Sequence, residues 1–216
     1  MLKIIKINRV VFIPVKSIDF SVSVYLGRKK YFKRYPKYIK KVFVLDGQWD
    51  IGIPIGDITS KEYFDVQIGY RSIYQIFNQD ISFKNSDQYK KMYEDLLVFG
   101  KTRRNEGYLF NNQEIDSYFL DLNSIYIDIK MRGYLSQVDL DGNSLDEIGV
   151  IIDRNGDIKK IGRGMHRLAM AEILNVKTVP VFIHQVHYSW VIDCCTKYGL
   201  SINKSIQKGF LDLQYE

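Results

Sequence analysis

The sequence predicts an α+β protein: a mixed β-sheet core that carries a helix-rich insertion. Three observations lead there. Residues 147–184, EIGVIIDRNGDIKKIGRGMHRLAMAEILNVKTVPVFIH, read as strand, tight turn, strand, Gly-rich loop, helix, turn and strand. The stretch from about 60 to 120 holds helical spacing and helix-capping residues. No Pro- or Gly/Ser-rich linker and no internal repeat divides the 216 residues, of which 46% are apolar and can fill a core. One domain over 1–216 is expected, with 60–120 as the helical insertion and 191–216 as a C-terminal extension.

The elements follow in order. Residues 3–15 suggest a strand ending at Pro14, then a short connector over Val15–Ile18. Val42–Leu45 is a short strand broken by Asp46-Gly47. Lys61–Phe77 mixes periods and is read as helix. Ser86-Asp87 is an N-cap signal for a helix through Tyr89, Met92, Tyr93, Leu96 and Leu97, ended by Gly100. Residues 101–107 read as a polar loop. Gln113–Asp116 starts one helical stretch. Asp121–Arg132 forms a clearer one, with Leu122, Ile125, Tyr126 and Ile129 on one stripe and Gly133 at its end. Within 147–184, the run to Ile152 is a β-branched strand, and Asn155-Gly156 is a hairpin signal because such turns need φ > 0. Leu168–Leu174 is a helix that Asn175 can close in the left-handed conformation. Thr178–Ile183 is a strand with Pro180 near its start. A short helix around 191–198 and a polar closing segment ending in Phe210–Leu213 complete the chain.

The chemistry lies where Gly162-Arg163-Gly164-Met165-His166-Arg167 opens the helix. Two glycines permit close backbone approach and a sharp turn. A helix N-terminus presents unpaired N–H groups and a partial positive charge. Arg163, His166 and Arg167 add side-chain donors, which makes the loop an anion site of the kind that holds phosphate. The alternative is a strand-to-helix turn with its arginines in water.

At these residues a resemblance enters. Gly164-Met165-His166-Arg167, opening an Ala-rich helix that ends before a Val-Pro-Val strand, resembles the signature of the ParB/sulfiredoxin fold superfamily. ParB proteins have Gly-Glu-Arg-Arg here and sulfiredoxins Gly-Cys-His-Arg, and free serine kinases share the fold. The resemblance implies a nucleotide-phosphate site on Gly164, His166 and Arg167. Met165 stands in place of the sulfiredoxin cysteine and of the ParB glutamate, which implies neither sulfinic-acid reduction nor the ParB CTP switch. Val44-x-x-Gly47-x-Trp49-Asp50 upstream resembles a group of microbial and viral ParB-like proteins, over about Val11 to Trp190, and implies that Trp49 and Asp50 belong to the site. Helix-Gly133-Tyr134-x-x-Gln137 resembles the ParB-type lead into the nucleotide-binding half, so Gln137 is expected to face the ligand. In the related serine kinases a Glu acts as base. For Trp49 and Asp50 the alternatives are a core plug and a turn cap, and for Gln137 a turn cap.

A carboxylate at a strand end near a phosphate loop can act as general base or hold Mg²⁺. Glu147, Asp146 and Asp50 are the candidates, with Glu147 and Asp50 the expected Mg²⁺ ligands, and His166 is a further candidate catalytic residue. Asp153 and Asp157 flank the Asn-Gly turn and are read as solvated. Asp139-x-Asp141-Gly142-Asn143 starts like a calcium loop, but Val150 occupies the twelfth position, where a Glu is required. The three histidines, His166, His184 and His187, lie within 22 residues. Because His184 is expected to end a strand, His184 and His187 are assigned to substrate or phosphate, with a zinc site the lesser alternative.

The formal net charge of +6 favours anionic ligands. Much of it lies in Arg28–Lys41, RKKYFKRYPKYIKK, where cations interleaved with aromatic rings could face nucleic acid or lie as a solvated loop. The two cysteines, Cys194 and Cys195, are neighbours and form no disulfide framework, which suits a cytoplasmic setting. No apolar run approaches the roughly 18 residues that span a bilayer, and the N-terminus reads as a strand, not a signal peptide. The expected function is a nucleotide-dependent phosphotransferase using ATP, ADP or CTP with Mg²⁺ and a small-molecule acceptor. The alternative is a ParB-like nucleic-acid-binding protein or nuclease using 28–41.

Overall fold

The structure, a computed structural model, describes residues 9–20, 43–46, 50, 67–104, 107–161 and 163–214. The architecture is α+β with a curled mixed sheet. Two compact units divide the chain: residues 1–64, 135–164 and 177–216 form unit 1, and residues 65–134 and 165–176 form unit 2. The chain therefore passes from one unit to the other between Gly164 and Met165.

Unit 1 holds the large sheet. Its strands are β1 (Val10–Pro14), β2 (Ile18–Phe20), β3 (Phe43–Leu45), β6 (Ile148–Ile152), β7 (Ile158–Lys160) and β8 (Thr178–His187). Their order is β1-β8-β6-β7-β2, with β3 also on β8. β6 is buried at every position and lies between parallel β8 and antiparallel β7, as a strand with no polar side chain requires. β1 runs antiparallel to the first half of β8, and β3 parallel to the second. Val11 and Ile13 on β1 and Val179, Val181 and Ile183 on β8 are buried. Helices α5 (Tyr188–Tyr198) and α6 (Ile202–Asp212) pack on each other, with Trp190 stacked on Phe210 at 5.7 Å between ring centroids. The closing segment expected to be polar is thus mostly helix. Its apolar residues Ile206 and Phe210 recur at a four-residue step and are buried.

Three other expectations in unit 1 are corrected. β8 runs to His187, so His184 lies inside the strand rather than at its end. The Asn155-Gly156 connection is not a two-residue turn, since Ile152 pairs with Ile158 and five residues lie between them. Only Gly156 of the two central residues has positive φ, at +95°. Asp153 is buried rather than solvated: its Oδ1 accepts the amides of Asn155 and Asp157, both at 2.9 Å, and thereby builds the turn.

Unit 2 is helical. It contains α1 (Ile68–Phe77), α2 (Asp87–Phe99), α3 (Asn112–Arg132) and α4 (Met165–Ile173). Ser86 caps α2 by accepting the Tyr89 amide, and Gly100 ends it at φ +66°. The two stretches expected after residue 112 are one helix. Asn111 accepts the Glu114 amide at 2.9 Å while the Glu114 carboxylate accepts the Phe110 amide at 2.7 Å, a reciprocal cap that fixes its start. Its buried residues Ile115, Tyr118, Phe119, Leu122 and Ile129 keep to three- and four-residue steps or their sums, whereas Ile125 faces out. The segment expected as a polar loop forms the hairpin β4 (Thr102–Arg104) and β5 (Gly107–Leu109). Asn175, at φ +54°, closes α4 as expected.

Candidate functional site

The site builds up from the end of β7. Strand alternation puts Ile158 and Lys160 on one face, and both are buried; Lys160 is only 5% exposed. Its ammonium donates to the carbonyl oxygens of Ile161 at 2.9 Å and Arg163 at 2.6 Å. The Arg163 carbonyl also accepts the Gly149 amide at 3.1 Å, and the Gly149 carbonyl accepts the Ile161 amide at 2.8 Å. The loop is therefore laced to β6 through Gly149 and to β7 through Lys160. In a trans peptide the C=O and N–H point in opposite directions. With the Arg163 carbonyl drawn toward Lys160 and Gly149, the Gly164 N–H faces away from both, and no acceptor for it lies among the described residues.

Gly164 has φ +89°, a region that L side chains rarely adopt. A Cβ there would lie 2.8 Å from the Ile148 Cα. Glycine is thus required first for packing on β6, and the backbone turns there because no side chain intervenes. Gly162 lies outside the described residues.

The side chains around this turn come partly from the expected set. Arg163 is exposed and forms an ion pair with Asp146, which stands on the short 3-10 turn Ser144–Asp146 just before β6. Glu147 is 0% exposed and accepts the Gln137 amide at 2.5 Å. Gln137 in turn accepts the Gly142 amide through its own carbonyl at 2.6 Å. The structure thus brings Arg163 to Asp146 and Glu147 to Gln137, on adjoining segments of one unit. His184 is the extra residue of a β-bulge, because Val150 pairs with Ile183 and Ile151 with Gln185. Such bulges re-aim a side chain. The His184 Nε2 lies 2.9 Å from where a Gly149 Cβ would be, so the imidazole covers the same glycine that braces the loop. Its other side meets Phe182 edge-on at 4.8 Å, and the Arg9 guanidinium lies 4.1 Å over that ring. Burial pulls the Arg9 pKa down to about 10.

The residues after Gly164 belong to unit 2, where Met165, His166 and Arg167 form the first turn of α4 and are half-buried. His166 was expected to hold phosphate; the structure engages its ring with side chains of unit 2. Its Nε2 meets Gln88 Oε1 at 3.1 Å, its Nδ1 meets the Tyr118 hydroxyl at 3.4 Å, and Gly69 leaves room for the ring. Gln88 also donates to that hydroxyl at 3.3 Å, closing a ring of three side chains. These partners assign the Nε2–H tautomer, with the hydroxyl donating to Nδ1. Burial lowers the His166 pKa to about 4, so the ring is neutral at pH 7 and carries no charge for an anion.

Asp50 and His187 are likewise met by groups of the protein. The buried Asp50 carboxylate accepts three bonds from Arg154: backbone N at 2.9 Å, Nε at 2.9 Å and Nη2 at 2.6 Å. Burial pushes its pKa up, but the Arg154 bonds and the nearby His187 outweigh that and hold it below the ordinary carboxylate value. His187 Nε2 lies 3.7 Å from Asp50 Oδ1, and its Nδ1 accepts the Ser189 amide at 3.0 Å to cap α5. Asp50 therefore ties the β6–β7 turn to the end of β8, and neither group is presented to a ligand. Trp49 and segment 28–41 lie outside the described residues.

Among the described residues no group of three or more His, Cys, Asp or Glu side chains could hold a metal ion. Glu147 and Asp50, the expected Mg²⁺ ligands, are each engaged by hydrogen-bond donors of the protein. Sequence reasoning missed Lys160, Gly149, Arg9 and Arg154. One signal was available for Lys160: it shares a strand face with Ile158, a position where a charge needs a partner. Gly149, inside a β-branched run, signalled a close approach. No helix among the described residues is long and apolar enough to cross a membrane. Comparison of the chain with protein-family models, with curated proteins and with solved structures finds no match.

Proposed function

We propose that the chain is a nucleotide-binding phosphotransferase of ParB/sulfiredoxin-like architecture whose oxyanion site is the Gly164 turn. The observation that carries this reading is the Gly164 N–H. It points away from Lys160 and Gly149, which hold the Arg163 carbonyl, and it has no acceptor among the described residues. The exposed Arg163 guanidinium adjoins it in sequence, and α4 starts at the next residue with the positive end of its dipole. Phosphoryl transfer needs positioning and charge neutralisation more than covalent help, which is what amides and a guanidinium supply.

In this reading ATP, ADP or CTP places a phosphate against Gly164 and Arg163. The terminal phosphoryl group passes to a hydroxyl of a small-molecule acceptor. Asp146, half-buried beside Arg163, takes the hydroxyl proton, and the nucleotide leaves one phosphate shorter. Mg²⁺ binds through one or two carboxylates and the substrate phosphates, so Asp146 with the nucleotide would suffice to hold it there. Glu147 braces the Gln137 segment through its bond to the backbone, and His184 covers Gly149 at the base of the loop.

Titration calorimetry with ATP, ADP, CTP and pyrophosphate, each with Mg²⁺, tests this. At least one ligand should bind with a Kd below about 1 mM, which is about −4 kcal/mol or tighter. Arg163→Gln should weaken it. Absence of heat from all four at millimolar concentration overturns the reading.

A further inference from the structure

Lys160 raises a question that the loop's glycines do not answer. A lysine at a core position of a strand costs desolvation unless its charge is met by acceptors. An apolar side chain would fill the space without that cost. Here the ammonium spans the loop, donating to Ile161 O at 2.9 Å on one side and to Arg163 O at 2.6 Å on the other. Two peptide planes are set by one charge. The plane between Arg163 and Gly164 is held a second time by the Gly149 amide at 3.1 Å. Rotating that plane by half a turn would bury the Gly164 N–H against the ammonium and send the carbonyl outward, presenting an oxygen where an anion is to bind.

We infer that Lys160 is the positioning residue of this loop: by anchoring the carbonyls of Ile161 and Arg163 it fixes the peptide plane that aims the Gly164 amide at the oxyanion. The inference rests on the function proposed above. Lys160 never touches the ligand, since its donors are turned to the carbonyls on the inner side of the loop. Its effect is on the direction of one N–H and on the electrostatics behind it, where a positive charge adds to the pull on any anion in front. Removing the ammonium frees the plane to rotate, and the site loses its donor while Arg163 remains in place.

The test uses the full chain and Lys160→Met. Pyrophosphate affinity is measured by calorimetry, the Gly164 amide by ¹⁵N-edited NMR without ligand, and folding by thermal denaturation. The expected result is a folded variant whose pyrophosphate affinity falls at least tenfold and whose Gly164 amide resonance moves, with the effect of Arg163→Gln on affinity reduced in the Lys160→Met background. A folded variant with unchanged affinity and an unmoved Gly164 amide overturns the inference. Should Lys160→Met fail to fold, Lys160→Gln, whose shorter neutral side chain does not span the two carbonyls, is judged by the same two readouts. Failure of the underlying reading looks different: the wild-type chain itself would bind no pyrophosphate.

Discussion

His166 supplies a prediction that separates a packed histidine from a phosphate-binding one. Its ring is held by Gln88 and Tyr118 and its pKa is lowered by burial from 6.5 to about 4. A group whose folded pKa is depressed binds protons more readily in the unfolded chain. For a histidine this means that its contribution to stability is intact above the unfolded value and is lost as pH falls toward the folded one. At pH 4 the linkage integral is RT ln[(1 + 10^2.5)/(1 + 1)], about 3 kcal/mol of stability lost relative to pH 7. His166→Gln keeps an amide that can bond to Gln88 and Tyr118 but does not titrate. Urea denaturation of both proteins at pH 7 and pH 4 gives the comparison, since the carboxylates that titrate in this range are common to both. The wild type should lose about 3 kcal/mol more than the variant over that interval. A proton NMR titration of the ring should find no protonation above about pH 5. Equal pH dependence in the two proteins, or a ring that titrates near its ordinary value, would refute the packing and return His166 to the solvent side of the loop.

Two substitutions test the frame around the site. Gly164→Ala must hold a side chain at φ +89° with its Cβ 2.8 Å from a backbone atom of Ile148, so chemical denaturation should register a loss of about 2 kcal/mol or more. A loss within about 0.5 kcal/mol would mean that the turn is not built this way. Asp50→Asn removes the charge that receives three Arg154 donors. The expected cost is about 2–4 kcal/mol, moderated because the Arg154 side chain is 35% exposed. If Asp50 were instead a catalytic group, the melting temperature would stay put while activity vanished.

Local signals in the sequence were read well where one residue decides a local geometry. Ser86 and Gly100 bound α2, Asn175 ends α4, and the β-branched run 148–152 is the buried central strand. They were read poorly where distant residues compete. The run from residue 101 to 107 looked polar, yet it holds β4 and the first residue of β5, which pair with each other. The end of β8 was set too early because the histidines looked like a strand end rather than core positions. The candidate site divided along the same line. The loop's geometry was legible from its glycines and its position before a helix. The partners of His166 and Asp50 were not, because each bonds to residues that periodicity and spacing do not connect, 78 positions away for Gln88 and 104 for Arg154. Lys160 was hidden because a lysine pair in a short strand reads as solvated until its alternation is worked out.

The most direct test of the account is a pyrophosphate titration of the ¹⁵N-labelled chain, followed by NMR at the Gly164 amide. A saturable shift is expected there with the same half-point as the calorimetric binding, and a small one at the amide of Gly149, whose N–H is already bonded to the Arg163 carbonyl. A Gly164 amide that does not respond while shifts appear elsewhere, or no saturable shift at any residue, would contradict it.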